Sequence, residues 1–170
     1  IGGIALAMVR EEVPAILADR RMVSLSIPSL VSGVTPAEAQ ARLLTVLHEV
    51  ARSGNIIVAV PNVHEMVGVS LGEGSDLADA FANEVSKGYF LAIAETSPQE
   101  YSKLVEQSTL GRTLEVVKID EMNQNTAIQA LESKAGSIEY QQKIFFTYDA
   151  LEKAVTLSSR YIHERFLPEK

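Results

Sequence analysis

The sequence predicts an α/β fold: an open, mostly parallel sheet flanked by helices, followed by a small helical lobe. Short apolar runs alternate with amphipathic helical patterns, as crossover helices between parallel strands require. Two runs, Ile56 to Val60 and Tyr89 to Ala94, are apolar at nearly every position, which predicts central strands covered on both faces. Past Ile119 helical spacing alone continues, so the chain divides into an α/β part over 1–120 and a helical part over 121–170.

The elements follow in order. Ile1 to Val9 reads as an apolar helix with no cap before it, the mark of a piece cut from a longer protein. Met22 to Ile27 is the first strand candidate, and Leu114 to Ile119 the last. Between the first two strands, Thr35-Pro36-Ala37-Glu38 combines an N-cap, a proline at the first helical position and a capping glutamate. Leu43, Leu47 and Val50 then recur on one face until Gly54 stops the helix. Asp76 to Lys87 predicts a second helix, with Leu77, Ala80, Phe81 and Val85 inward and Gly88 as its break. Ser97-Pro98-Gln99-Glu100 repeats the capping arrangement and opens a third. Beyond it, Asp120 to Glu132 and Tyr148 to Phe166 read as helices around a less regular stretch from Ala135 to Thr147. Functional loops are expected at the carboxyl ends of the strands.

Composition narrows the function. With 170 residues and 46% hydrophobic content the chain can bury one sizeable core, and its lack of cysteine excludes disulfides. A net charge of −7 without a basic stripe argues against nucleic-acid binding. No apolar run has the length of a membrane span and no signal-peptide pattern opens the chain, so a cytoplasmic protein without membrane contact is expected. His64 and Glu65 sit in His-Glu-Met-Val-Gly, which lacks the second histidine of a zinc helix; no metal site is expected there, nor at His48 or His163. Tyr140, Phe145, Phe146 and Tyr148 lack a basic surround for stacked bases and read as the core of the helical lobe.

Several stretches together support a resemblance. They are Arg20-Arg21-Met22-Val23-Ser24-Leu25, Ser29-Leu30-Val31-Ser32-Gly33, Gly54-Asn55-Ile56-Ile57, Val63-His64-Glu65-Met66-Val67-Gly68, Gly72-Glu73-Gly74, Asp76 and Glu100-Tyr101. The strongest is the closing run from Leu157 to Lys170, close to a family pattern S-x-R-Y-I-x-x-R-F-L-P-D-K. In this order they resemble the first AAA+ module of the Clp/Hsp100 unfoldases and disaggregases, over essentially the whole chain. The resemblance implies an AAA+ P-loop NTPase type of fold with a partial helical lid. It also implies ATP or ADP with Mg²⁺ as cofactor of the full-length protein, self-association into a ring, expected to be a hexamer, and a polypeptide substrate threaded through the pore.

The departures from the family pattern bear on activity. No G-x-x-x-x-G-K-[ST] occurs, and Gly2-Gly3 is too short to replace it, so this stretch alone is not expected to hold nucleotide strongly. Hydrolysis needs one carboxylate for the magnesium shell and another to orient water. The family's Asp-Glu pair falls on Pro61 and Asn62, neither of which ionises, and using Glu65 instead would require remodelling the loop. The family is an ATPase; this module is expected to be hydrolysis-deficient. Thr96 falls on the polar sensor, where a hydroxyl can contact a γ-phosphate, although a helix-entry turn also calls for threonine. Arg112 falls on the first of two trans-acting arginines and Thr113 on the second; a solvated surface arginine is the alternative. At the pore loop, Val34 and Thr35 stand where the family presents an aromatic grip. Two classes remain: a nucleotide-sensing, ring-forming layer of a protein-remodelling ATPase, or a non-enzymatic scaffold that binds no nucleotide.

Overall fold

A computed structural model of the chain describes residues 1–72, 75–163 and 165–167. Glu73, Gly74, Glu164 and Pro168 to Lys170, which belong to the motifs above, lie outside the described residues. The chain forms two units, Ile1–Val116 and Val117–Lys170.

In the first unit, β2 (Ile56–Val60) is the middle of a three-stranded parallel sheet, between β1 (Arg21–Ser24) and β5 (Leu91–Ala94). Register pairs Arg21 with Ile56 and Ile57 with Leu91. Ile57, Val58, Ala59 and Val60 are all buried, which explains the unbroken apolar run: a central parallel strand has no solvent face. The apolar run at β5 differs from the expectation. It lies at an edge of the described sheet, with Tyr89 and Leu91 exposed.

Helices cover the sheet. α1 (Gly2–Val9) and α2 (Ala15–Ala18) precede β1, and α3 (Ile27–Val31) follows it; the expected strand to Ile27 is cut short where Ser26 accepts from the Ser29 amide and caps α3. The crossover helix α4 (Pro36–Ser53) has the capping box its sequence announces. Thr35 N donates to Glu38 Oε2 at 2.8 Å, Glu38 N donates to Thr35 Oγ1 at 3.4 Å, and Gly54 ends the helix at φ 72°. Leu43 and Leu47 from α4 meet Phe81 from α5 (Leu77–Ser86) in the core. Fully burying each such side chain contributes roughly 1.5–3 kcal/mol.

An antiparallel pair, β3 (Ser70–Gly72) with β4 (Ser75–Asp76), precedes α5. After β5 the chain runs through α6 (Pro98–Glu100), a π-helical turn over Tyr101–Val105, and α7 (Thr109–Thr113). Leu114 to Ile119 does not form a strand. Among the described residues no neighbouring strand takes up its backbone groups, and Val116, Val117 and Ile119 remain 55%, 78% and 87% exposed.

The second unit holds α8 (Gln124–Gln142) and α9 (Tyr148–Tyr161). α8 runs seven residues beyond Ala135, where an irregular stretch was expected, because Gly136 faces open space and is tolerated mid-helix. The core here consists of Ala127, Ile128, Val155 and Leu167. The aromatic core expected from Tyr140, Phe145, Phe146 and Tyr148 is not formed: they are 88%, 92%, 38% and 57% exposed. Helix spacing explains the outcome. Tyr140 belongs to the outer face of α8, Phe145 and Phe146 lie in the turn before α9, and Tyr148 opens α9. Among the described residues, no helix is long and apolar enough to cross a membrane.

Candidate functional site

The carboxyl ends of β2 and β5 are held together beyond their last ladder pairs. Glu95 N donates to Val60 O at 3.0 Å, and Val63 N donates to Glu95 O at 3.0 Å. Between those bonds the chain must turn sharply, and Asn62 does so at φ 51°, ψ 47°, a left-handed conformation that asparagine tolerates better than most residues. A single 3₁₀ turn over Val63–Met66 follows, anchored by the buried side chains of Val63 and Met66. That anchoring directs His64 toward the end of β5, where its Nδ1 lies 2.9 Å from Thr96 Oγ1, both side chains partly buried.

Pro61 is half-buried and Asn62 exposed at this turn, so the two residues at the end of the central strand carry no negative charge. Glu65 is exposed on the 3₁₀ turn. Among the described residues, no group of three or more His, Cys, Asp or Glu is placed to hold a metal ion. Pro61 and Asn62 themselves offer no carboxylate to a magnesium shell. Thr96 does present a hydroxyl at the carboxyl edge of the sheet, where ligands of such folds bind.

Arg112 lies elsewhere in the first unit, on α7. It is exposed and borders an open groove of about 430 Å³ that Asp76, Asp79, Lys103, Gln107 and Thr109 also line. Asp76 and Asp79 cap α5 reciprocally: Asp79 N donates to Asp76 Oδ1 at 2.9 Å and Asp76 N to Asp79 Oδ2 at 3.1 Å. The same carboxylates accept from Gly68 N at 2.9 Å and from the Thr109 hydroxyl, which ties α7 to the start of α5. Neither Lys103 nor Arg112 has an ion-pair partner among the described residues. Thr113 Oγ1 donates to the Thr109 carbonyl at 2.9 Å, a bond within its own helix.

At the pore-loop positions, Val34 packs against the main core, and Thr35 directs its side chain to Glu38. The Thr35 contacts hold the Glu38 carboxyl below its ordinary pKa, the backbone amide first and the hydroxyl second, with Arg42 adding a smaller effect.

The sequence brought Pro61, Asn62 and Thr96 to neighbouring strand ends, and the structure places them there. It did not join His64 to Thr96; the only available signal was that both follow apolar strands of one parallel sheet. The Asp76–Asp79 cap was legible in principle, since Asp-x-x-Asp before an apolar run is a capping pattern.

The comparisons with known proteins agree with this architecture. The AAA lid domain family matches residues 123–170. The chain is 33% identical, over 99% of its length, to the negative regulator of genetic competence ClpC/MecB of Bacillus subtilis. It is likewise 33% identical to the ATP-dependent Clp protease ATP-binding subunit ClpC of Staphylococcus epidermidis. The chain is an AAA+ module related to the Clp/Hsp100 ATPases. The AAA+ module spans about a fifth of the length of the curated relatives it matches, 21% of each. Its fold is similar to that of the S. cerevisiae Hsp104–ADP complex, with a TM-score of 0.82 at 24% identity over 98% of this chain and 29% of that one.

Proposed function

We propose that this chain is a hydrolysis-deficient AAA+ layer of a cytoplasmic Clp/Hsp100-type protein-remodelling machine, serving ring assembly, as a hexamer, and nucleotide sensing. The observation that carries this reading is the end of β2. Pro61 and Asn62 occupy the places of the acid pair, and the left-handed turn at Asn62 is anchored on both sides by backbone bonds. A water molecule beside a phosphoryl group would meet no carboxylate from Pro61 or Asn62, so nothing at those positions would orient it or take its proton.

Nucleotide contact in the full-length protein would involve the Thr96 hydroxyl, and the exposed Arg112, which has no ion-pair partner among the described residues, is suited to reach an anion on a neighbouring copy. Val34 and Thr35, one packed and the other engaged in a cap, offer no aromatic grip, so a polypeptide passing this layer would not be pulled by it. Calorimetric titration of the full-length protein with ATP and with ADP tests the sensing role. Binding of either supports it; no binding of both favours the second reading, a scaffold that keeps AAA+ packing without nucleotide.

A further inference from the structure

The His64–Thr96 contact has a property that neither residue has alone. A hydroxyl carries a single proton, and the imidazole Nδ1 either accepts that proton in a hydrogen bond or donates its own. When Nδ1 is bare, Thr96 donates into the ring and turns only lone pairs toward anything else, which repels an anion. When Nδ1 carries the proton, it donates to Thr96 Oγ1 and leaves the hydroxyl proton free to point outward, where an anion accepts it. The 2.9 Å separation fits both arrangements.

The surroundings hold the pair in register. Val63 and Met66 are buried on either side of His64, and the Val63–Glu95 and Glu95–Val60 backbone bonds fix the two strand ends, so the backbone that carries the imidazole is held beside the end of β5. Thr96 lies two residues past the end of β5, next to Glu95, which bonds to Val60 and Val63 through its backbone. Two side chains 32 positions apart are thus set against each other at the sheet edge where ligands of this fold bind.

We infer that His64 is a positioning residue for Thr96: the form of its ring nitrogen decides whether the Thr96 hydroxyl is offered to an anion, and this gives the module its preference for nucleoside triphosphate over diphosphate. The inference rests on the nucleotide-sensing reading and adds to it the residue that sets the sensor. A terminal phosphate within reach of Thr96 stabilises the form with the proton on Nδ1, whereas a diphosphate that stops short leaves the ring unbiased.

The test uses the full-length protein labelled with ¹⁵N-histidine, titrated with ADP and with a non-hydrolysable ATP analogue, with affinities from calorimetry. The His64 signal is identified by its loss in His64→Asn. The triphosphate is expected to move the His64 Nδ1 resonance into the protonated range, and ADP to leave it in place. His64→Leu is expected to lower the triphosphate-to-diphosphate affinity ratio about tenfold or more, the worth of one hydrogen bond to a charged group. Thr96→Val should lower it equally, and the double variant no further. His64→Asn, whose amide can stand in for Nδ1, should keep the preference and guards against a folding defect in the leucine variant. An unchanged ratio in His64→Leu, or equal losses for both nucleotides, overturns the inference while leaving nucleotide binding in place. A wild-type protein that binds neither nucleotide overturns both the inference and the reading beneath it.

Discussion

Gly111→Ala is the sharpest perturbation that the packing offers. A Cβ built on Gly111 would lie 2.4 Å from the Val105 carbonyl oxygen and 2.8 Å from that of Glu106. An ordinary carbon–oxygen approach is about 3.3 Å or more, so α7 or the π-turn must move by close to an ångström. Both obstacles are backbone, and rotamer change cannot relieve them. Moving the Val105 carbonyl also disturbs the bonds it accepts from Ser108 N at 3.0 Å and Ser108 Oγ at 2.7 Å, and shifting α7 disturbs Leu110, which is fully buried. Overpacking of this kind costs about 1–3 kcal/mol, and a weakened hydrogen bond adds about 1 kcal/mol. The expected loss is therefore about 2–4 kcal/mol, read as a lower urea midpoint with an unchanged slope. A change below about 0.5 kcal/mol would refute the close approach of α7 to the π-turn, since surface substitutions have effects of that size.

The other packing and turn predictions concern single positions. Gly136→Ala, mid-helix in α8 with open space around it, should stabilise the second unit by about 0.5–1 kcal/mol, seen as a rise in its melting temperature. Asn62→Gly should be nearly neutral, while Asn62→Glu should destabilise by about 1 kcal/mol or more, because a longer side chain is held at φ 51°; denaturant unfolding of the two variants checks the difference. Glu38 titrates below its ordinary 4.5 in the folded chain, so its capping contribution is complete above that value and fades as pH falls through the depressed one. A carboxyl NMR titration should place the Glu38 midpoint below 4.5 in the native protein and move it only part of the way back in Thr35→Ala, which removes the hydroxyl but keeps the backbone amide.

Local chemistry made much of the first unit legible. The box at Thr35 and Glu38, the stop at Gly54 and the unbroken apolar run of β2 each act through neighbours in sequence, and each lies where its residues point. The failures depend on distant partners. Leu114 to Ile119 has the apolar content of a strand but no strand beside it among the described residues, and β5 has the composition of a central strand while lying at an edge of the described sheet. The aromatics around α8 and α9, which without a basic surround read as a core, stay largely exposed, and Ala127, Ile128, Val155 and Leu167 form the core instead. At the candidate site, the lack of an ionisable side chain at Pro61 and Asn62 was readable because identity alone decides charge. The His64–Thr96 pair was not, because its approach depends on the register of β2 with β5 and on the single 3₁₀ turn after Asn62.

Phosphate release by the full-length protein, measured beside a variant in which any second ATPase module is disabled, tests the central claim most directly. The proposed hydrolysis deficiency, argued from Pro61 and Asn62 at the end of β2, predicts that release in the disabled variant falls to background while ATP or ADP still binds. Turnover that persists there, and that Glu65→Gln abolishes, would contradict the claim and show that the carboxylate on the 3₁₀ turn has taken over the missing role.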